Sequence, residues 1–479
     1  MTQLALAEIQ GLVLTAYPQA EVAQYLFLRI VDPAACRTQL QKLVPSITSF
    51  PQRHADRCIN IAFTASGLAR LGLSDRELGT FSRAFTEGMT VPDRLRLLGD
   101  SEQQVEKWFW GSPARGVDVA ILVFHVRGEG LAVAVQELLR DWVTTGACAL
   151  VAQVQSAPRA PGHGASAGEH FGFADGISQP IIRELVESKS SRSVSFRQSD
   201  VDYFEHNCVA AGEFLFGYSN EYARLPAPPL TMPRARSRLA PVASSPFADF
   251  GTNGSYMVVR QLEQDVAGFW QAIDKATQTG GRSDPAARLR LASQMVGRWP
   301  NGAPLAKHPD GQPQDAVSPN AFLYLEHDPH GIRCPLGAHI RRTNPRDALG
   351  TDTATATRLV NRHRILRRGR PYGPWIKDPL QDDGQQRGLM FVCFNTNIER
   401  QFEFIQNTWA NNPKFAGLYS ESDPLFGSLD DATQGGMFTV QAEPVRRRYQ
   451  GLARFVKVVG GGYFFLPSLA ALQHLTLRD

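Results

Sequence analysis

Three stretches of this sequence gather residues able to do chemistry. In Phe171-Gly172-Phe173-Ala174-Asp175-Gly176-Ile177-Ser178-Gln179-Pro180 one carboxylate is framed by glycines and aromatics. Glycine marks places where backbone comes close to something, and a partly apolar setting can tune a carboxylate for proton transfer. Read alone, Asp175-Gly176 is also an ordinary Asx-turn pair. The stretch from His327 to Ile340 holds His327, His330, Cys334 and His339. That set invites a zinc module, yet its spacing matches no common zinc pattern, and Pro329 and Pro335 break the local geometry. His339 follows Pro335-Leu336-Gly337-Ala338 and precedes Ile340, a setting for one buried imidazole, either hydrogen-bonded core or single metal ligand. The third stretch is Arg364-Ile365-Leu366-Arg367-Arg368-Gly369. If Ile365-Leu366-Arg367 is a short strand, Arg367 and Arg368 point to opposite faces, one to a pocket and one to solvent. A solvated basic turn is the plainer alternative.

The elements that must position these residues follow from periodicity. Short β-rich runs occur at Gly11–Leu14, Tyr25–Val31, Cys58–Phe63 and Val117–Val126. Helical spacing appears between Asp32 and Leu43, with Pro33 suited to a first turn, and again from Gly130 to Trp142. The order is β-α-β-β-α-β, that of a ferredoxin-like unit. After loop-like, Gly-, Ser- and Pro-rich segments at 153–212 and 219–250, a second set appears. It comprises strands at Ser255–Arg260, Leu389–Phe394, Met437–Gln441 and Phe455–Val459, with helices at Leu262–Ala276 and Ile398–Trp409. The fold class is therefore α+β, two ferredoxin-like units of antiparallel sheet with flanking helices.

Composition narrows the function. The chain has 479 residues, 43% hydrophobic and 20% charged, which is ordinary for a globular protein with a large core. Net charge is +4, only eight of the fifty basic residues are lysine, and no basic run exceeds Arg446-Arg447-Arg448, so nucleic acid is not indicated. The six cysteines form no C-x-x-C pair and read as reduced or buried thiols. Met1-Thr2-Gln3-Leu4-Ala5-Leu6-Ala7-Glu8 lacks a charged leader, and no stretch is long and apolar enough to span a membrane. A cytoplasmic protein of open oligomeric state is expected.

Taken in order, these segments resemble the dye-decolorizing peroxidases, a haem peroxidase family. The resemblance runs from Ile9-Gln10-Gly11-Leu12-Val13-Leu14 to Gly460-Gly461-Gly462-Tyr463-Phe464-Phe465-Leu466-Pro467. Its G-x-x-D-G signature falls on Gly172 to Gly176, its proximal histidine on His339 in Ala338-His339-Ile340-Arg341, and its distal arginine on Arg367. The long loops match the larger subgroup that includes the fungal enzymes. The resemblance implies a dimeric α+β barrel-like architecture within one chain. Residues 1–215 would carry the G-x-x-D-G loop and 216–479 would hold one haem b.

It further implies Asp175 as acid–base and Arg367 as fixed cation, with Leu389, Phe391 and Gly176 in the distal pocket. The carboxylate behind His339 falls on Asp423, with Glu399 as the alternative. The implied activity uses H2O2 to oxidise phenols and aromatic dyes through a ferryl porphyrin-radical intermediate. Tyr372, Trp375, Trp409 and Tyr419 are candidate radical relays to bulky donors. An acidic optimum is expected where Asp replaces the His of other peroxidases, since the ordinary carboxyl titrates at about 3.9 and imidazole at about 6.5. Competing readings are a haem-binding or iron-extracting protein with incidental peroxidase activity, and the zinc module on His327, His330, Cys334 and His339.

Overall fold

The computed structural model describes residues 3–158, 167–187, 204–314, 320–427 and 435–477. Its first unit contains β1 (Val22–Ile30), α1 (Pro33–Leu43), β2 (Arg57–Phe63), β3 (Val119–His125), α2 (Gly128–Leu139) and β4 (Cys148–Gln155). Local chemistry sets these boundaries. The Asp32 carboxylate accepts from the Ala34 and Ala35 amides ahead of Pro33, so α1 starts capped and with its first φ fixed. The strands pair antiparallel in the spatial order β4-β1-β3-β2.

The second unit repeats this plan with β5 (Ser255–Gln264), α3 (Val266–Thr277), α4 (Pro285–Val296), α5 (His339–Thr343), β6 (Leu366–Arg367), β7 (Arg370–Tyr372), β8 (Gly388–Asn395), the helical turns Glu399–Glu403 and Ile405–Ala410 near the expected Ile398–Trp409, and β9 (Val456–Leu466). Its order, β9-β5-β8-β6 with β7 beside β8, is the same fourth-first-third-second arrangement. The two units form one nine-stranded sheet through β9 and β2, which share the single pair Phe465–Phe63. Buried Gln10 staples this seam. Its Nε2 donates to the Ile61 and Pro467 carbonyls, each at 2.9 Å, and its Oε1 accepts from the Ile61 amide at 3.0 Å. At the far edges Ser156 bridges Tyr372, and the Ala157 amide donates to the Pro371 carbonyl at 2.7 Å. The sheet thus curls back on itself, although among the described residues no continuous ladder closes it into a barrel.

Both faces of the sheet are largely buried, and strand alternation sends successive side chains to opposite ones. Ala23, Tyr25 and Phe27 of β1 join Met257, Val259, Met390, Val392, Phe394 and Phe464 in an interior shared by the two units. Leu26, Leu28 and Ile30 face outward against α1 and α2. Small residues let the Trp108–Gly111 segment lie on β9. A Cβ at Gly111, whose φ is +85°, would stand 1.9 Å from the Gly461 carbonyl oxygen.

Three expected elements differ. The strand expected at Met437–Gln441, observed at Gly436–Val440, pairs with Arg447–Leu452 in a separate two-stranded sheet and not with the second unit's sheet. Gly11–Leu14 is a four-residue helix rather than a strand, because all four residues are buried and a short apolar run carries no period to separate the two states. The helix expected from Leu262 begins only at Val266, since β5 continues to Gln264 and Asp265 caps the helix by accepting from the Gly268 amide. Among the described residues, no helix is long and apolar enough to cross a membrane. All six cysteines are buried free thiols.

Candidate active site

The outer face of the second unit's sheet is the floor of a cavity of about 260 Å³. Alternation selects its lining: Arg260, Leu262 and Gln264 of β5 and Leu389 and Phe391 of β8 face it, while Val259, Met390 and Val392 face the shared interior. On β9 a bulge is needed. The register with β5 shifts between Gln261 and Leu262, leaving Val459 unpaired and turning Val456 and Val458 to the cavity.

His339 is the first residue of α5, and the two residues that follow its neighbour Ile340 fix the turn. Arg341 donates to Asp328 Oδ2 at 2.9 Å and to the Cys334 carbonyl. Arg342 donates to the carbonyls of Trp409, at 2.9 Å, and Glu421, at 2.7 Å. With the turn held, the His339 ring lines the cavity and its Nδ1 lies 2.9 Å from Asp423 Oδ2. Asp423 is 2% exposed, and its Oδ1 accepts from the Leu425 and Phe426 amides. Burial alone would raise this carboxyl, but the facing imidazole and the Leu425 amide hold it below the ordinary range. Glu399 is elsewhere, accepting from the Ala84 amide at 2.9 Å beside Arg94.

Arg367 reaches the same cavity from β6, because Leu366 takes the inward position and strand alternation turns Arg367 outward. Its Nη1 donates to Asp175 Oδ1 at 3.3 Å, and both side chains keep 31% of their surface. Asp175 is held in turn by the Gly176 amide, at 2.6 Å. Gly176 itself is exposed at the turn, φ +73°, and is not among the lining residues, so its part is the amide rather than the wall. Arg368 does not face solvent. It is 9% exposed and donates to the Leu12 and Val13 carbonyls, where it caps the unexpected helix Gly11–Leu14.

Two further groups line the cavity, and of their members only Arg364 lies in a stretch singled out from the sequence. Glu169 accepts from the Phe171 and Phe173 amides and from Gln264 Nε2, tying the loop that carries Asp175. Burial, opposed by those donors, pushes its carboxyl up to about 7. Arg298, Arg346 and Arg364 form a buried cationic group at the cavity. Burial, then neighbouring guanidiniums, pushes Arg298 and Arg364 down to about 9. A sequence signal existed for neither: Glu169 looks like any loop acid, and the three arginines are scattered over 67 positions.

The zinc module is overturned. His327 Nδ1 pairs with the Leu323 carbonyl at 2.9 Å, His330 is exposed, and Cys334 is a fully buried thiol raised to about 12 by burial. Among the described residues, no three His, Cys, Asp or Glu side chains converge to hold a metal ion. The candidate relay residues are dispersed. Tyr372 is buried in the shared interior, Trp375 is half-buried with its ring 4.3 Å from His170, and Tyr419 is exposed near Lys414. Trp409 is buried beside Phe404 and shares an apolar cluster with the lining residues Ile365 and Ile405.

Residues 8–142 match the family model for the DyP dimeric alpha+beta barrel domain, and residues 239–443 match that for the Dyp-type peroxidase C-terminal domain. The multifunctional dye peroxidase DyP2 of Amycolatopsis sp. is 34% identical over 318 residues, 64% of this chain and 61% of that protein's length. A dye-decolorizing peroxidase of Exidia glandulosa is 28% identical over 487 residues, spanning 97% of this chain and 86% of its own. The crystal structure of a variant of the Auricularia auricula-judae decolorizing peroxidase superposes over the whole of both chains with a TM-score of 0.80 at 25% identity. With both family models matched and likeness running from end to end, the chain belongs to the dye-decolorizing peroxidases, a family of haem enzymes.

Proposed function

We propose that this chain binds one haem b and uses H2O2 to oxidise phenols and aromatic dyes. The observation that carries this reading is one cavity lined by both an imidazole–carboxylate pair, His339 and Asp423, and a guanidinium–carboxylate pair, Arg367 and Asp175. The residues fit the group. His339 Nδ1 is committed to Asp423, and among the described residues Nε2 has no partner, so it is available as an axial ligand. Leu262, Leu389, Phe391, Val456 and Val458 offer apolar surface to a flat macrocycle. The mutually repelling Arg298, Arg346 and Arg364 offer positive charge to its two carboxylates. When bound, the haem supplies the electron-transfer chemistry with peroxide and with aromatic donors.

The chain's own residues handle position and protons. Asp423 holds the His339 ring by its Nδ1 proton, fixing the tautomer that leaves Nε2 bare and making the imidazole a stronger donor. Asp175 takes a proton from the inner peroxide oxygen and delivers it to the outer one, a role worth about 10²–10⁴ in rate. Arg367 keeps Asp175 oriented at 3.3 Å and presents fixed positive charge to the departing oxygen. For donors too large for the cavity, Trp409 is the relay this reading favours over Tyr372, Trp375 and Tyr419, since it shares an apolar cluster with the lining residues Ile365 and Ile405. The division at 215 and 216 fits a site in which the first part supplies Asp175 and the second supplies His339, Arg367 and Asp423.

The test is an absorption spectrum of the purified protein before and after one equivalent of peroxide, with His339→Ala beside it. A haem Soret band that shifts with peroxide, and is lost or displaced in the variant, is expected. Zinc with no Soret band, or unchanged haem loading in His339→Ala, refutes the reading.

A further inference from the structure

Tyr463 stands on the same outer face of β9 as the lining residues Val456 and Val458, just beyond the bulge. It is 2% exposed. Its ring lies 6.3 Å from that of Phe402, which lines the cavity and lies 6.0 Å from Phe391, another lining residue. The Tyr463 hydroxyl donates to Glu403 Oε1 at 2.8 Å, and the other oxygen of that carboxylate accepts from Arg94 Nη1 at 2.6 Å. Burial pushes the Glu403 carboxyl up, against the pull of Tyr463 and Arg94, which makes it a better proton acceptor than an exposed glutamate.

A buried phenol cannot lose an electron alone, because the cation left behind would be stranded in a medium that solvates charge poorly. It can do so when a base within hydrogen-bond reach takes the proton in the same event. We propose that Tyr463 is a second oxidation site of this enzyme, an internal electron donor one ring removed from the cavity, with Glu403 as its proton acceptor. The inference rests on the haem peroxidase reading. In the step, Tyr463 gives one electron to the peroxide-oxidised centre in the cavity, which is reduced by one electron. The phenolic O–H bond breaks, an O–H bond forms at Glu403 Oε1, and a neutral phenoxyl radical remains. An aromatic donor then returns the electron and Glu403 returns the proton.

Tyr324 provides the contrast. It lines the cavity directly and is fully buried, so proximity alone would favour it. Its ring, however, sits under the Arg341 guanidinium at 4.3 Å, with Arg346 and Arg298 close by, and its hydroxyl faces the Cys334 thiol instead of a carboxylate. Cations stand near both phenols, Arg94 and Arg260 in the case of Tyr463, so the difference lies in the proton: Tyr463 has a carboxylate to take it and Tyr324 does not.

The holoenzyme is mixed with one equivalent of H2O2 without donor, frozen, and examined by electron paramagnetic resonance. A tyrosyl signal that narrows when ring-deuterated tyrosine is incorporated is expected, lost in Tyr463→Phe and retained in Tyr324→Phe and Trp409→Phe. Glu403→Gln, first shown by its Soret band and circular dichroism to be folded and loaded, should yield less of that signal. An undiminished signal in Tyr463→Phe, its loss in Tyr324→Phe instead, or an undiminished signal in Glu403→Gln overturns the proposal. So does the absence of any tyrosyl signal when the absorption spectrum does respond to peroxide. If the absorption spectrum does not respond at all, the peroxidase reading itself falls, and this inference with it.

Discussion

Replacing Asp423 by Asn tests the imidazole–carboxylate pair with almost no change of volume. The Asp423 side chain accepts three hydrogen bonds: Oδ2 from His339 Nδ1, and Oδ1 from the Leu425 and Phe426 amides. A carboxamide has one oxygen, so it cannot serve both sides. If that oxygen turns to His339, the new NH2 faces two backbone N–H groups, leaving buried donors unmatched at about 1–3 kcal/mol each. If it turns to the amides, the NH2 faces Nδ1 and drives the imidazole proton to Nε2, the atom needed for iron.

Either way the axial ligand is weakened. Loss of one charge-assisted hydrogen bond is worth about 1.5–3 kcal/mol, and second-shell carboxylates typically control metal affinity by about 10–100-fold. Asp423→Asn should therefore weaken haem binding by about 10–100-fold, or ~1.4–2.7 kcal/mol. If that energy falls on the ferric state, the midpoint potential rises by about 60–120 mV. Haem titration of the apoprotein measures the first and spectroelectrochemistry the second. Glu399→Gln is the control, because Glu399 faces the Ala84 amide and Arg94 instead of His339, and should move neither. An unaltered affinity and potential in Asp423→Asn, or a shift in Glu399→Gln, would sink the argument.

Arg367→Leu should slow the reaction with peroxide by at least about 10²–10³ and by more than Asp175→Asn does, since it removes the cation and also unpairs Asp175. Stopped-flow rates decide this, and a larger loss in Asp175→Asn would show that proton transfer dominates. Glu169 makes stability depend on pH. Its carboxyl is raised from an ordinary 4.5 to about 7, so the folded state binds more protons than the unfolded one between those values. Its contribution is thus fully present below 4.5 and lost as pH rises to about 7. Wild type should lose up to about 3 kcal/mol relative to Glu169→Gln across that window, and parallel unfolding curves for the two proteins would contradict the burial of this group. Gly111→Ala should cost about 2–4 kcal/mol, because its Cβ would press on the Gly461 carbonyl at a positive φ. Chemical denaturation checks it, and unchanged stability would mean the Trp108–Gly111 segment does not seat on β9.

How much of this was legible in the residues depends on the kind of signal each carries. The long strands at 22–30, 57–63, 119–125 and 388–395 are runs dominated by apolar and β-branched or aromatic residues, and such runs state their own conformation. Gly11–Leu14 is as apolar but only one helical turn long, so its state is set by the Thr48 carbonyl and the Arg368 guanidinium, contacts made 37 and more residues away. Asp175, His339 and Arg367 are candidates by local pattern alone, each with a plainer reading beside it, and their roles come from the resemblance of the three runs, taken in order, to one family. Glu169, Arg298 and Arg346 could not be picked out, since an acid near a turn or an arginine near a proline acquires meaning only when burial is known. Burial is what converts them: the same glutamate that would be a spectator at the surface is raised to about 7 beside Asp175, and burial, then neighbouring guanidiniums, brings Arg298 and Arg364 down to about 9. The bulge at Val459 belongs with them. One extra residue turns Val456 and Val458 into the cavity wall while Tyr463 keeps the same face beyond it, and nothing in Val458-Val459-Gly460 announces a change of parity. The sheet that builds the site is therefore read from pattern, whereas the charges that make it chemical are read from what the sheet shuts away from water.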